Sequence, residues 1–245
     1  MCDSCGCGDP DVVPVEVHDK ILAGNDRTAA HNREHFRERQ VVAINLMGSP
    51  GAGKTAVLET TARMLVGREG PLYTGSRLGA LAGDLATDND ADRLRAAGIV
   101  ARSITTGSAC HLDAAMVHRG LHDFPWRELD YLFIENVGNL VCPAVYDLGQ
   151  EANVVALSVT EGIDKPLKYP VMFLKADLVL ITKIDLLPYL PNIEIGAIAD
   201  ALARVMPQPR YMCVSATTGD GMEQWLTWLG QLQVGQRRSE VTHHA

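Results

Sequence analysis

The chain has no block of lysine and arginine, and its acidic residues outnumber the basic ones, 30 to 22, for a formal charge of −8. A nucleic-acid binder needs clustered cations against the phosphates, so no nucleic-acid partner is expected. The amino end has no basic segment followed by an apolar stretch, which argues against a secretory signal. Apolar runs are short. Val41–Met47 and Leu178–Ile181 fall far below the ~20 residues that cross a bilayer, so no membrane association is expected and a cytoplasmic location is. There is no internal repeat either. What remains is a globular composition, 47% hydrophobic and 21% charged over 245 residues. That is enough to bury the core of one large α/β domain or two small ones.

Against this background two motifs carry chemistry. Residues 48–55 read Gly-Ser-Pro-Gly-Ala-Gly-Lys-Thr, and the chain opens with Cys2-Asp3-Ser4-Cys5-Gly6-Cys7. The first is a phosphate-binding loop; the second is a set of soft metal ligands. With six cysteines in a phosphate-loop protein, a reducing compartment is expected, where clustered thiols bind metal more often than they form bridges.

The pattern divides the chain into a metal-binding tail and linker over 1–40, a nucleotide domain over 41–235 and a disordered tail over 236–245. His18–Gln40 is polar, with a helix expected from Asp26 to Arg39 but no strong apolar face. Strands are expected at Val41–Met47, Leu78–Ala82, Ile99–Ile104, Tyr131–Ile134, Val154–Val159, Leu178–Thr182 and Tyr211–Val214. Helical spacing falls at Lys54–Gly67, Asp88–Ala97, His111–Leu121, Ile193–Met206 and Gly221–Leu232. Unbroken apolar strands separated by helices indicate a mainly parallel sheet covered on both faces, the three-layer α/β fold of P-loop NTPases.

The loop lies between a strand and a helix, as its mechanism requires. The amides of Gly48, Gly51, Ala52 and Gly53 can point at phosphate oxygens, and the start of the next helix adds to that field. Lys54 supplies charge near the β- and γ-phosphates, and Thr55 offers a hydroxyl to Mg²⁺. Asp84 and Glu135 each close an apolar strand, where a carboxylate can reach Mg²⁺ directly or through water; a helix cap is the other reading of Asp84. Gly138 can sense the γ-phosphate, which makes Asn136–Leu140 a switch segment. Thr182-Lys183-Ile184-Asp185 follows a later strand. Asp185 can accept the two hydrogens that guanine offers, Lys183 can lie along the purine, and Ser215-Ala216 can cap it. The motif favours guanine over adenine, and GTP is expected over ATP once the family resemblance described below is added. No residue stands out as a general base.

Cys2, Cys5 and Cys7 can wrap Ni²⁺ in near-planar geometry or Zn²⁺ tetrahedrally, and composition does not choose between them. Cys110, His111 and Cys142 admit two readings: two buried thiols and a surface histidine, or a second metal site if the strands set these loops side by side. His18, His31 and His35 are read as solvated, His118 and His122 as sharing a helix face, and Cys213 as a buried strand residue. His243 and His244 lie in the frayed end. Trp225 and Trp228 are expected to anchor the core.

Taken together, these motifs resemble the HypB family of hydrogenase nickel-incorporation proteins, a metallochaperone branch of the P-loop GTPases. The resemblance runs through Cys2–Cys7, Gly48–Thr55, Gly83-Asp84, Cys110-His111-Leu112-Asp113, Phe133–Pro143 and Ser158–Pro170. It implies slow GTP hydrolysis timing nickel delivery to the large subunit of a [NiFe]-hydrogenase. It implies an outer nickel site at the amino end and an inner site of Cys110, His111 and Cys142 near a GTP-favoured dimer interface. A HypA-like accessory protein and the hydrogenase large-subunit precursor are the implied partners. Two departures stand out: Thr182 replaces the usual Asn of the guanine motif, which predicts weaker guanine affinity, and the long histidine-rich stretch of some members is absent. Rival readings are a urease-type nickel GTPase, whose ligands are Cys-x-His, a metal sensor with a vestigial nucleotide pocket, and an ATP-using small-molecule kinase.

Overall fold

The computed structural model describes residues 15–65, 76–85 and 87–241. The tail ligands Cys2, Cys5 and Cys7, together with His243 and His244, lie outside the described residues. Among the described residues seven strands form one sheet: β1 (Val42–Gly48), β2 (Leu78–Asp84), β3 (Val100–Thr105), β4 (Tyr131–Glu135), β5 (Ala152–Ser158), β6 (Leu178–Thr182) and β7 (Tyr211–Val214). Their order is β3-β2-β4-β1-β5-β6-β7, and all neighbours are parallel. Each expected strand is present within two residues at either end.

The strands read as continuous apolar runs because both faces are covered, and alternation sorts their side chains into two cores. Val42, Ile44 and Leu46 of β1 join Tyr131 and Phe133 of β4 under α2 (Lys54–Leu65) and α8 (Met222–Val241), where Trp225 is fully buried. On the other face Val41, Ala43, Leu132 and Ile134 pack with Val117 and Leu121 of the α4 (Ala114–Gly120) region and with Phe36 of α1 (Val15–Glu38). Further along that face, α6 (Pro170–Leu174) and α7 (Ile195–Ala203) cover Val155, Leu157, Val179 and Ile181. Helix α3 (Asn89–Ala96) follows β2, and the four-residue α5 (Lys165–Lys168) precedes α6.

Three regions differ from the sequence expectation. The polar arm is the 24-residue helix α1, docked on the core largely by polar contacts. Buried Asn32 donates to the carbonyls of Ala114 and Leu148, Asn25 bridges the Asp147 carbonyl and the Ala114 amide, and Arg33 pairs with Asp147 at 2.6 Å. An apolar-periodicity search is blind to such a face. Helix α4 begins at Ala114 rather than His111, because the Asp113 carboxylate caps the Met116 amide. Helix α8 continues to Val241, past Leu232 and past the boundary set at 236. Cys213, expected buried, is half-buried in β7.

Candidate functional site

The phosphate loop leaves the carboxyl edge of β1, between β4 and β5, at the position where parallel α/β sheets open a crevice. The backbone needs Gly48 there: its φ is 144°, and a Cβ would lie 2.4 Å from the Ala156 carbonyl oxygen. The cleft above the loop encloses about 510 Å³. Gly51, Gly53, Lys54, Thr55, Asp84, Glu135, Gly138 and Lys183 of the expected residues line it.

Lys54 is 7% exposed, and its Nζ donates to the carbonyls of Gly48 and Ser49 at 3.2 Å each. Burial lowers its pKa, while Glu135 and Asp90 oppose that shift. Glu135, at the end of β4, is 3% exposed; its Oε1 accepts the Thr55 hydroxyl at 2.8 Å, and its Oε2 has no hydrogen-bond partner. Burial raises its pKa to about 7, against the pull of Lys54 and the Thr55 hydrogen bond. A buried carboxylate oxygen with no donor is a costly arrangement that a cation relieves. Thr55, Glu135, Asp84 and Asp90 offer only oxygen, the donor set of a hard ion such as Mg²⁺.

Asp90 and Arg93 were not among the sequence candidates. Asp90 Oδ1 lies 3.0 Å from the Thr55 hydroxyl, and Arg93 reaches Asp90 at 3.6 Å while forming a double hydrogen bond with Glu59. Asp84 lines the same cleft, and its Oδ1 accepts the Thr87 amide as a turn cap. Asp90 is thus the acid nearest Thr55 on the segment after β2. The signal available for it was the acid-rich start of α3, at Asp88-Asn89-Asp90, one step downstream of the strand end.

The base-side residues also converge. Ser215 Oγ accepts the amides of Thr217 and Thr218, so its proton is directed to Asp185 Oδ1 at 2.6 Å. Lys183 adopts the left-handed region, φ 60°, and its Nζ reaches the Gly51 carbonyl at 2.6 Å. Thr182 does more than stand in for a longer side chain: its buried hydroxyl donates to the Ala52 carbonyl at 2.6 Å, tying the base motif to the phosphate loop. Ala216 accepts from Thr60 of α2 through its carbonyl.

Of the two readings for the second cysteine set, geometry favours convergence. The sulfurs of Cys110 and Cys142 are 3.2 Å apart, and the possible ligand atoms of Cys110, His111 and Cys142 all lie within 4.8 Å of one another. Cys110 is exposed and Cys142 half-buried, so these are not core thiols. His111 stacks on Tyr146 at 4.0 Å, and burial lowers its pKa, which keeps a nitrogen lone pair free. The shared proton with Cys110 raises the Cys142 pKa.

The segment between the two clusters links them physically. Asn136, almost fully buried, accepts the Leu112 amide and donates to Asn45 beneath the sheet edge. Gly138 presses on the loop so closely that a Cβ would meet Pro50 at 2.8 Å. Asn139 pairs with Gly48 in an isolated antiparallel bridge, and its side-chain amide holds the Cys110 carbonyl at 3.3 Å. Two of the histidines read as solvated, His31 and His35, also assemble. His31 and His35 of α1 meet His118 of α4, with all three ligand nitrogens within 4.8 Å of one another.

Comparison with known proteins adds four findings. Residues 42–208 match the family described as CobW/HypB/UreG, nucleotide-binding domain. The hydrogenase maturation factor HypB of Azotobacter chroococcum is 45% identical over 227 residues, 93% of this chain and 72% of that protein. A hydrogenase/urease maturation factor HypB of Helicobacter pylori is 38% identical, covering 94% of this chain and 91% of its own length. The crystal structure of HypB from Helicobacter pylori in complex with nickel superposes with a TM-score of 0.79 at 38% identity, over 86% of this chain and 96% of that one.

Proposed function

The chain belongs to the HypB family of hydrogenase maturation factors, within the CobW/HypB/UreG nucleotide-binding domain, and on that premise we propose that it is a GTP-hydrolysing nickel metallochaperone. GTP sits with its phosphates on the loop Gly48–Thr55 and its base on Asp185, braced by Lys183, Ser215 and Ala216. Thr55, Glu135 and the acids Asp84 and Asp90 would hold Mg²⁺, which supplies charge neutralisation on the β- and γ-phosphate oxygens when bound. A water oxygen bonds to the γ-phosphorus, the bond to the bridging oxygen breaks, and GDP and phosphate leave. Lys54 stabilises the charge that builds on the leaving side. With no side chain among the described residues poised as a strong general base, turnover is slow and rests on positioning.

The observation that carries this reading is the path from Glu135 through Asn139 to the thiols. One short segment begins at the acid touching Thr55, pairs with Gly48, holds the Cys110 carbonyl and ends at Cys142. Any shift of that segment with the γ-phosphate moves one thiolate relative to the other and changes the affinity for the ion; linkage makes the effect reciprocal. Nickel is the cargo, held by Cys110, His111 and Cys142 and, at the amino end, by Cys2, Cys5 and Cys7; Zn²⁺ competes for the same thiolates. The recipient is the hydrogenase large-subunit precursor, with a HypA-like protein as intermediary. A GTP-favoured homodimer fits the exposed apolar side chains beside Cys142: Val141 and Val145 flank it, and α6 packs next to that turn with Val171 and Leu174 exposed. The double designation of the Helicobacter pylori relative supports a second reading, that the same nickel also serves urease.

The test is GTP and ATP hydrolysis with and without stoichiometric Ni²⁺, read beside oligomeric state. GTP preference, with Ni²⁺ affinity and self-association that differ between GTP and GDP, is expected; ATP-driven phosphorylation of a small metabolite overturns the proposal. Cys142→Ser should reduce metal binding and spare nucleotide affinity.

A further inference from the structure

Three imidazoles meet at the α1–α4 contact, away from both clusters just described. His31 and His35 stand one helical turn apart on α1, the spacing by which a helix presents two imidazoles to one ion. His118 of α4 completes the group. Ring centroids are 4.1 Å apart for His31 and His35, 5.3 Å for His31 and His118, and 6.0 Å for His35 and His118. They face a surface cavity of about 370 Å³.

Three histidines together on a surface need an account, because each added positive charge repels the others. The surroundings of His35 and His118 favour the neutral imidazole. Buried Asn32 spends both amide hydrogens on the carbonyls of Ala114 and Leu148, so its Oδ1 can only accept. His118 Nδ1, 3.0 Å from that oxygen, must therefore carry the proton. In the neutral ring the lone pair is then on Nε2. A hydrogen bond that sets the tautomer and aims the ring is the outer-shell feature that accompanies metal-bound histidine. His35 lies parallel to Trp126 at 5.9 Å, which restrains its plane. Desolvation and the neighbouring imidazoles lower the pKa of both His35 and His118.

We infer that His31, His35 and His118 form a further metal site, holding a borderline divalent ion such as Ni²⁺ or Zn²⁺ through nitrogen alone, with the fourth position open to water. Tetrahedral bonds of about 2.0 Å put ligand atoms ~3.3 Å apart, so from within 4.8 Å the closure needs only small side-chain rotations. His31 is exposed and His35 half-buried, which leaves them room to make those rotations. Lacking thiolates, the site selects against soft monovalent ions and exchanges faster than the cysteine sets. An ion there pins α1, which joins the cysteine-bearing amino end to the core, against α4, whose cap Asp113 follows the Cys110-His111 pair. This site stands independently of the GTP-driven chaperone reading.

The test uses the full chain with Cys2, Cys5, Cys7, Cys110 and Cys142 all changed to Ser, titrated with Ni²⁺ or Zn²⁺ against a chromophoric chelator. One equivalent should remain, with a metal-dependent rise in thermal midpoint. Co²⁺ should give visible d–d bands without thiolate charge transfer in the near ultraviolet. Adding His31→Ala and His35→Ala should abolish all three signals, while the metal-free midpoint and GTP hydrolysis of the otherwise native chain stay unchanged. If that double change impairs folding, His31→Asn alone, at an exposed position, should still weaken binding at least about tenfold. No retained equivalent in the five-serine chain, or binding that survives the histidine changes, overturns the site.

Discussion

The nucleotide cleft and the inner thiol cluster sit at opposite ends of one short segment, yet they are built in different ways. In the cleft, Lys54 and Glu135 are almost fully buried and bound to backbone or hydroxyl, and Gly48 and Gly138 are hemmed in by the Ala156 carbonyl and Pro50. At the cluster, Cys110 is exposed, Cys142 half-buried, and the two thiols rest mainly on each other. A rigid cleft can register the presence of one phosphate. A loosely held pair of ligands can change its geometry in response. The contrast suits the nucleotide-timed release proposed above, and the bridge through Asn139 is where the two halves can be separated.

The largest expected effect falls on the rigid side. Lys54→Ala should slow phosphate release from GTP by about 10²–10³-fold while leaving metal stoichiometry at Cys110, His111 and Cys142 unchanged; loss of both would mean that the cleft also shapes the thiols. A pH prediction follows from Glu135. Its folded pKa of about 7 lies above the ordinary glutamate value of 4.5, so between those values the folded state binds more protons than the unfolded one. Stability of the chelator-treated protein should therefore fall as pH rises from about 4.5 to 7, by on the order of 3 kcal/mol, and level off above. Urea denaturation across that range checks it, and Glu135→Gln should flatten the slope. A flat wild-type profile would show that the carboxyl is not held neutral.

At the bridge, Asn139→Ala should leave GTP hydrolysis and metal binding individually intact but collapse the GTP-versus-GDP difference in metal affinity. Couplings of this kind run to about 5–150-fold, and the variant should retain less than about twofold, read by chelator competition in each nucleotide state. Unchanged coupling would route the signal elsewhere. Smallest is Thr182→Val, which removes the hydrogen bond to the Ala52 carbonyl. Guanine nucleotide affinity should drop by about 2- to 10-fold, measured by fluorescence titration, with coupling preserved.

Legibility followed the kind of interaction. The seven strands and the phosphate loop were readable because a buried parallel strand is a run of apolar residues and the loop is a fixed spacing. Asp90 was not, because its approach to Thr55 depends on how the chain turns after β2, and an acid at a helix start is ordinary. Helix α1 looked like a polar arm because Asn25, Asn32 and Arg33 dock it through hydrogen bonds and an ion pair, which leave no hydrophobic period. The role of Thr182 as a tie to Ala52 was hidden for the same reason: the partner is a backbone carbonyl, 130 residues away.

By itself, the order of residues determined the sheet, the phosphate loop and the presence of thiol and imidazole ligands, since these rest on local spacing and apolar patterning that every chain carries in one dimension. Only the tertiary structure decided which candidate ligands meet. Cys110 reaches Cys142, and His31 and His35 reach His118, because loops and helices distant in sequence are brought to the same edge of the sheet and the same helix contact. Such meetings depend on distances of a few ångströms in space, and spacing along the chain does not encode them.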